Sequence, residues 1–328
     1  MANWQVKASE EYVKVDNKDL KILELLQTNT RIPLKEIATK LRISKVAVHN
    51  RIKNLETKKI IQGYSCFINF KKLGLNTYHI AIKTSMSLEE KENYVENLRN
   101  KDFINQILKI NGGKWDFLIR IISNEDNIND KIDLLLKKDI QYFEVIQVHT
   151  AVFLKKESGQ IGHMNSGKEF TSNEDIELIY ELSINSRQKI TELSRKLNLA
   201  PITIKKKIKD LQKRNIILTL PTKFNPLLYG NEGYLFLITT KDRKIGSQIA
   251  NILATVNSTG VFINIQNPSI IGYHIISSLE DLKKLEKVIL PYISSIISYE
   301  LIKIEEQTKY LFFPESIKKE LINANKKI

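Results

Sequence analysis

The feature that most constrains the fold of this chain is an internal repeat. Residues 17–82 align with residues 173–238 at a constant offset of 156 residues, and the alignment needs no gap. Of the 66 aligned positions 17 are identical, and most matches are apolar, such as Leu26 with Leu182. A chance match would not keep its apolar phase over such a length. We therefore predict a tandem duplication.

Positive charge is concentrated in two short parts of the repeat. The chain of 328 residues has a formal net charge of +14. Residues 16–64 carry +6 of this excess, and residues 172–220 carry +4. A lysine-rich surface with no anionic partner would spread the charge evenly. The concentration is typical of proteins that bind a polyanion, most often nucleic acid.

The bulk composition indicates a globular protein. Hydrophobic residues make up 42% of the chain and charged residues 27%, which excludes a disordered chain. No apolar run approaches the roughly 18 residues that span a bilayer, and the first residues lack the apolar core of a signal peptide. We expect a cytoplasmic protein with no membrane partner. Cys66 is the single cysteine, so neither an intrachain disulfide nor a CxxC metal site is expected.

Each copy of the repeat opens with a helical unit. In the first copy, Asp16 is suited to cap a first helix, Pro33 to begin a second, and Ser44 to cap a third. The inward face of the third helix carries apolar residues at i, i+4 and i+7, namely Val48, Ile52 and Leu55. Short extended pieces follow in "IIQGYSCFINF". Three helices followed by a hairpin predict a winged helix-turn-helix.

Each helical unit is followed by a stretch whose pattern predicts the order βαββαβ. This order is typical of a ferredoxin-like unit, an antiparallel sheet with both helices on one face. The predicted class is α+β, with two winged helix-turn-helix domains alternating with two ferredoxin-like βαββαβ domains. The predicted parts are an N-terminal extension (1–15), winged helix-turn-helix domains (16–70 and 172–226), ferredoxin-like effector domains (71–157 and 227–313), a linker (158–171) and a basic C-terminal tail (314–328).

These motifs resemble the Lrp/AsnC family of transcription regulators, also called feast/famine regulatory proteins. The matching residues in the first copy are Asp16, "KILELLQ", Arg31, the run from Ser44 to Arg51, the exit "IIQGY" and "LG" at Leu73–Gly74. The turn "NGGKWD" (111–116) is similar to the "G..D" turn of the family's effector (RAM) domain. The resemblance implies a sequence-specific regulator that binds double-stranded DNA, is modulated by an amino acid or another metabolite, and forms homo-oligomers through its ferredoxin-like domains.

The second copy keeps the layout but loses parts of the motif. Ala200 stands at the position of Ser44, Lys207 at that of Arg51, and "NPSII" replaces the "GGKWD" turn. A typical family member is a single-copy chain that dimerises, whereas this chain resembles two fused copies. The differences predict that the first unit reads DNA sequence and that the second mainly adds affinity.

The outward face of each third helix supplies the candidate DNA contacts. Recognition helices present their N-terminal turns to base edges in the major groove. Asn50 can pair with adenine and Lys45 with guanine, whereas residues such as Arg51 are suited to phosphate contact. The predicted DNA-binding set is Ser44, Lys45, Val46, His49, Asn50, Arg51, Lys53, Lys58, Lys59, Thr203, Lys205, Lys206, Lys207 and Lys209.

The glycine-rich turn is the candidate effector site. Gly112 and Gly113 allow a close approach of the backbone to a ligand, Trp115 can form a wall, and Asp116 can accept an amine. The alternative is a tight connection between strands with a structural aromatic residue. The family resemblance favours an amino acid as the ligand.

No catalytic residue, metal ligand or cofactor is predicted. The five histidines (49, 79, 149, 163 and 274) are dispersed and show neither HxxxH nor HExxH spacing, so core or surface roles are favoured over metal binding. GxSxG, Walker and dinucleotide-binding loops are absent from the sequence. Cys66 lies on an apolar strand and is expected to be a buried small hydrophobe.

Two alternatives to a regulator stay open on the sequence. Sirohaem decarboxylases share this architecture, and a fold does not dictate a function. Their helical region carries a Pro/Phe-rich stretch, where this chain reads "QTNTRIPLKEIATK", and they have a histidine-bearing aromatic loop that we do not find here. The second alternative is an architectural protein that binds DNA with little sequence preference.

Overall fold

The computed structural model describes residues 5–7, 12–155, 160–164, 167–256 and 258–326. Within these residues it confirms the α+β class, with helix-turn-helix units and ferredoxin-like units alternating along the chain. None of the helices in these ranges is long and apolar enough to cross a membrane.

The first copy contains a short leading strand, three helices and a βαββαβ unit. Its elements are β1 (Val6–Lys7), α1 (Asn17–Thr28), α2 (Leu34–Leu41), α3 (Lys45–Thr57), β2 (Ile61–Tyr64), β3 (Phe67–Ile68), β4 (Asn76–Thr84), α4 (Leu88–Arg99), β5 (Ile104–Asn111), β6 (Phe117–Ser123), α5 (Ile128–Asp133) and β7 (Ile140–Lys155). Helix α5 is short, with six residues.

The second copy repeats this order and ends in an additional helix. Its elements are β8 (Gln160–His163), α6 (Asn173–Ile184), α7 (Ile190–Leu197), α8 (Pro201–Lys213), β9 (Ile217–Thr219), β10 (Thr222–Phe224), β11 (Glu232–Thr240), α9 (Arg243–Leu253), β12 (Ser258–Asn264), β13 (Ile270–Ile276), α10 (Leu279–Ile289), β14 (Ile296–Tyr310) and α11 (Glu315–Asn325).

Unusual backbone conformations recur in the two copies, which is consistent with a duplication. Arg42 and Asn198 both have a φ of 52° and end the second helix of their units. Gly74 and Gly230, with φ of 76° and 89°, end equivalent 3-10 turns. Each pair is separated by 156 residues. Left-handed backbone is costly for most residues, so its recurrence at the same offset indicates the same local design.

The exit strands do not form the predicted hairpin within each unit. Strand β2 pairs with β10, and β3 pairs with β9, so both pairings join one copy to the other. Equivalent residues meet there, because Ser65 donates its backbone N–H to Pro221 (2.9 Å) and the hydroxyls of Thr30 and Ser186 are 3.2 Å apart. Such contacts are expected at an approximate twofold axis. The wing of each unit is therefore completed by the other copy.

The two helical cores are also exchanged between the copies. Leu228 and Tyr229 of the second copy pack on the core of the first helical unit. Cys66, Ile68 and Phe70 of the first copy lie in the core of the second helical unit. Cys66 is buried as predicted, and burial raises the pKa of its thiol. The core of each helix-turn-helix unit is thus completed by the connector of the other copy, meaning the segment between its third helix and its ferredoxin-like unit.

The two ferredoxin-like sheets join edge to edge into one closed sheet. The order around the closed sheet is β14, β11, β13, β12, β7, β4, β6 and β5, and β5 returns to β14. Both joints, β5–β14 and β7–β12, connect one copy to the other. Closure leaves neither of these edges unpaired. Helices α4 and α5 cover the outside of the first half, and residues of both halves fill the interior.

The segments predicted as extension, linker and tail contain ordered elements. Strand β1 pairs with β14, and β8 of the predicted linker pairs with β7. The predicted tail forms α11, whose Ile317 is fully buried against the second helical unit. The Lys318 ammonium lies over the ring of Tyr180 in α6 (4.1 Å to its centroid). The "basic tail" is therefore a packed helix, because its apolar residues have the period of a helix.

Candidate nucleic-acid interface

Helix α3 presents its predicted reading face to solvent. The Ser44 hydroxyl accepts the backbone N–H of Ala47 (3.0 Å), which caps the helix. The inward apolar residues of α3 are buried as predicted. The exposed residues of the predicted set on and just after this helix are Lys45, Val46, His49, Asn50, Lys53, Lys58 and Lys59. This face combines an amide, cations and an apolar group, which are the groups that read base edges.

Arg51 has a different environment from the one predicted. Its guanidinium donates to the carboxylates of Asp16 (2.7 Å) and Asp19 (2.8 Å) at the start of α1. The Asp19 backbone N–H and the Arg51 guanidinium hold the pKa of Asp16 below its usual value. Arg51 thus joins α3 to α1 through its ion pairs, and its contact with a phosphate stays a prediction. The sequence offered a signal, since Asp16 and Asp19 belong to the same motif.

Replacing Arg51 with glutamine should lower the free energy of unfolding by about 1 kcal/mol, a typical value for a partly exposed ion pair with charged hydrogen bonds. Because the folded pKa of Asp16 is depressed, the contribution is present above the unfolded pKa, near 4, and is lost as the pH falls through the folded pKa. Urea titration at pH 7 and pH 3 measures both effects. Lys45→Gln, at an exposed site, is the control. An equal loss in the two variants would contradict the assignment.

Helix α8 is exposed at the equivalent positions but carries other chemistry. Lys205, Lys206 and Lys209 are exposed, and Thr203 is half-buried. Lys207 pairs with Asp175 (2.8 Å) and Glu174 (3.1 Å), as Arg51 does with its own carboxylates. Lys207 therefore also joins its helix to the start of α6, and its contact with DNA stays a prediction. The remaining lysines are point charges, which suit phosphate contact more than base readout.

The start of α8 lacks a side-chain cap, as its sequence predicts. Ala200 has nearly the same backbone conformation as Ser44, with φ and ψ of −60° and 143° against −69° and 153°. Ala200→Ser should therefore place a hydroxyl where Ser44 has one and stabilise the protein by about 0.5–1 kcal/mol, whereas Ser44→Ala should destabilise it by about 1 kcal/mol. Chemical denaturation of the two variants tests the pair. A destabilised Ala200→Ser would show that Pro201 prevents the cap.

The glycine-rich turn is a packed connection between β5 and β6. Gly112 and Gly113 have φ of 88° and 80°, a region that favours glycine. A Cβ atom on Gly113 would lie 2.9 Å from Cδ1 of Ile302 in the second copy. Trp115 is buried in the interior of the closed sheet, as in the alternative of a structural aromatic residue, and its place in the wall of a ligand pocket stays a prediction.

Asp116 is already bound to three groups of the protein. It accepts the backbone N–H of Thr84 (2.8 Å) and the ammonium groups of Lys91 (2.9 Å) and Lys83 (3.3 Å). Burial acts to raise the pKa of Asp116, but these donors outweigh it and keep the pKa below its usual value. The carboxylate of Asp116 thus has internal partners, and its contact with a ligand amine stays a prediction.

A large cavity lies between the helical units and the closed sheet. Its volume is about 1630 Å³, and α1 and α8 both line it. The lining face of α1 is equivalent to the face of α6 that α11 covers in the second copy. Leu20 of α1 is 42% exposed, whereas its equivalent Ile176 is 1% exposed. The cavity thus adjoins a face of α1 over which no helix equivalent to α11 lies among the described residues.

Sequence reasoning missed a buried arginine in this cavity. Arg120 lies on β6 and is 5% exposed. The sequence contained an indication of it, because "FLIRIIS" places one charged residue inside an otherwise apolar strand. Charged residues are almost never fully buried without a partner, so an inward arginine on such a strand indicates a special role.

Comparison with known proteins identifies a helix-turn-helix domain in the first copy. Residues 15–56 match the AsnC-type helix-turn-helix domain. The chain is 33% identical over 144 residues to the HTH-type transcriptional regulator LrpA of Pyrococcus horikoshii, covering 43% of this chain and 98% of the regulator. It is 27% identical over 125 residues to the HTH-type transcriptional regulator LrpB of Bacillus subtilis, covering 38% of this chain and 83% of that one. The match to LrpA thus accounts for less than half of the chain.

Nearly the whole chain is similar in fold to the siroheme decarboxylase NirDL, a solved structure. The TM-score is 0.61, and the match covers 94% of this chain and 100% of that one. The sequence identity is 14%, so the similarity concerns the arrangement of the two copies and not the chemistry.

Proposed function

Because the chain belongs to the Lrp/AsnC family of DNA-binding transcription regulators, we propose that α3 reads the operator sequence and that α8 mainly holds the DNA backbone. The observation that carries this proposal is the difference between the two exposed faces. At equivalent positions α3 has His49 and Asn50, where α8 has Lys205 and Lys206. An amide can pair bidentately with a base, whereas lysines at phosphates carry no sequence information.

The fused chain supplies both reading helices without a partner chain. Its sheet edges and its exit strands pair inside one molecule. We propose that one chain takes the place of a dimer of single-copy relatives, and that any larger homo-oligomer uses other surfaces. Since the two helices differ, the preferred operator has two unequal halves. A footprint showing a perfect inverted repeat with equal halves would contradict this.

Selection from random double-stranded DNA tests the proposed function. A regulator should enrich a defined motif, and binding to that motif should weaken steeply with salt, because several phosphate contacts release counterions. Recovery of unenriched DNA that still binds tightly would instead support an architectural protein. The selected motif also provides the operator for the variants considered below.

We propose that the chain acts by binding and not by catalysis, and that it works in the cytoplasm. Support comes from the regulators that it resembles in sequence and from the composition of its helical region. The rival is an enzyme of the sirohaem-decarboxylase type, since NirDL shares the fold. Adding sirohaem to the purified protein tests the rival. A shifted Soret band with release of carbon dioxide would overturn the proposal.

Modulation by an amino acid or another metabolite is part of the proposal. At the glycine-rich turn, an amine would have to compete with Lys83 and Lys91 for Asp116. Calorimetric titration of the twenty amino acids into the wild-type protein and into Asp116→Asn tests this site. Binding that survives in Asp116→Asn would place the amino acid elsewhere.

A further inference from the structure

One end of the closed sheet holds a polar cluster in its interior. Side chains alternate between the two faces of a strand, and in β6 Phe117 and Ile119 face the helices while Leu118 faces the interior. Arg120 continues the inward series. His79 on β4 pairs in register with Arg120 and also points inward, next to the ring of Phe262 (5.1 Å between centroids).

Arg120 is a buried cation without an acidic partner among the described residues. Its Nε donates to Oδ1 of Asn105 (2.6 Å). Its guanidinium carbon lies 5.3 Å from the ring centroid of Phe262 and 4.8 Å from that of Tyr310. Its Nη2 atom is buried and has no hydrogen-bond partner in the part of the chain that the structure describes. A buried charge that lacks a counterion is costly, and natural proteins retain such a group mainly where it has a task.

The side chains next to Arg120 are uncharged, so they do not neutralise its positive charge. Burial, together with the positive charge of Arg120, lowers the pKa of His79 well below its usual value, so this imidazole is neutral at pH 7. Its Nε2 lies 3.2 Å from the Tyr273 hydroxyl. Gln106 donates to Gln307 (2.7 Å), which fixes the amide beside the arginine. The local field at the cluster is therefore set by one positive charge.

The cluster opens into the large cavity described above. Arg120, Gln106 and Tyr273 all line it. Its wall is rich in aromatic rings, which include Phe67, Phe153, Phe262, Tyr310 and Phe312. At the side formed by α8 the lining changes to Lys205, Lys206 and Lys209. A cavity with an aromatic wall, one buried cation and a basic rim fits an anionic molecule with an apolar body.

We propose that this cavity binds a carboxylate attached to an aromatic body, with the carboxylate on Nη2 of Arg120. The planar guanidinium favours a carboxylate over a neutral amide of the same shape. The ring of the ligand lies among the aromatic side chains of the wall. This site is separate from the glycine-rich turn, and it does not depend on which helix reads DNA. Because α8 also lines this cavity, a molecule bound there is placed to alter the contacts of the α8 lysines with DNA.

The test compares 3-phenylpropionate with 3-phenylpropionamide, which has nearly the same shape but no charge. Ligand-observed NMR on the full-length protein, without DNA, gives both dissociation constants. The carboxylate should bind at least about tenfold more tightly than the amide, as expected for a charge-assisted hydrogen bond in a buried site. Equal binding of the two probes, or binding of neither, would overturn the proposal.

Variants locate the preference on Arg120. Arg120→Gln should abolish the carboxylate preference, and Arg120→Lys should keep part of it. In the triple variant Lys205→Ala, Lys206→Ala and Lys209→Ala, binding of the carboxylate should weaken, but the carboxylate should still bind more tightly than the amide, because Arg120 is retained. Loss in the triple variant with retention in Arg120→Gln would place the anion on the rim and overturn the site. If Arg120→Gln does not fold, the comparison of the two probes on the wild-type protein and on Arg120→Lys still decides.

Discussion

Asn50→Ala should reduce the preference of the protein for its operator over random DNA by roughly 5- to 150-fold, the range that corresponds to loss of one bidentate base contact. Asn50 is exposed on α3, and the Ser44 cap stabilises the start of this helix. The change removes the amide but leaves the buried face of α3 untouched. Affinity for random DNA should therefore change little. Gel-shift titrations on both DNAs, at one fixed salt concentration, measure the ratio.

Lys206→Ala is the matched control, because Lys206 stands 156 residues after Asn50 at the equivalent position of α8. Combined with Lys205→Ala, it should weaken binding to operator and random DNA by a similar factor. It should also make the salt dependence of binding less steep, because DNA binding releases about one counterion fewer for each phosphate contact that is lost. The assignment of roles fails if the lysine pair relaxes base preference while Asn50→Ala weakens all sequences equally.

Local features of the helical units could be predicted from the sequence. The spacing of Val48, Ile52 and Leu55 gave the buried face of α3, and Ser44 gave its start. The missing cap at Ala200 was equally visible. Such features depend on residues within one or two turns, so a single sequence contains what is needed to predict them.

The exchange between the copies was not readable in this way. Nothing in "IIQGYSCFINF" states whether its strands pair with each other or with a segment 156 residues away. Pairing is decided by which edges the whole assembly leaves open, and that depends on the closed sheet. The duplication itself was the available hint, since equivalent surfaces of two copies can pair with each other.

The surroundings of two arginines, Arg51 and Arg120, could not be predicted from the sequence for a related reason. A basic residue at helical spacing, such as Arg51, predicts a phosphate contact as readily as an ion pair within the fold. The choice is made by the position of α1, which brings Asp16 and Asp19 to it. Arg120 shows the opposite case, because its guanidinium has no acidic partner among the described residues. In both cases tertiary position determines the chemistry.

The second large effect should appear when the chain is divided between β8 and α6. Residues 1–164 and 165–328, when expressed together, should purify as one complex with the mass of the intact protein. Five strand pairings join the two parts, namely β1–β14, β2–β10, β3–β9, β5–β14 and β7–β12. Light scattering behind size-exclusion chromatography measures the mass.

Each half alone should fail to remain a folded monomer. The first half would expose the edges of β5 and β7, and its helical core would lose Leu228 and Tyr229. Unpaired edges are templates for association, so residues 1–164 should form a homodimer, with a second copy taking the place of the missing half, or aggregate. The intact chain cut in the linker by a protease is the control, and it should keep its melting temperature. A half that melts cooperatively as a monomer would contradict the exchanged architecture, because the core of each helical unit is completed by the connector of the other copy.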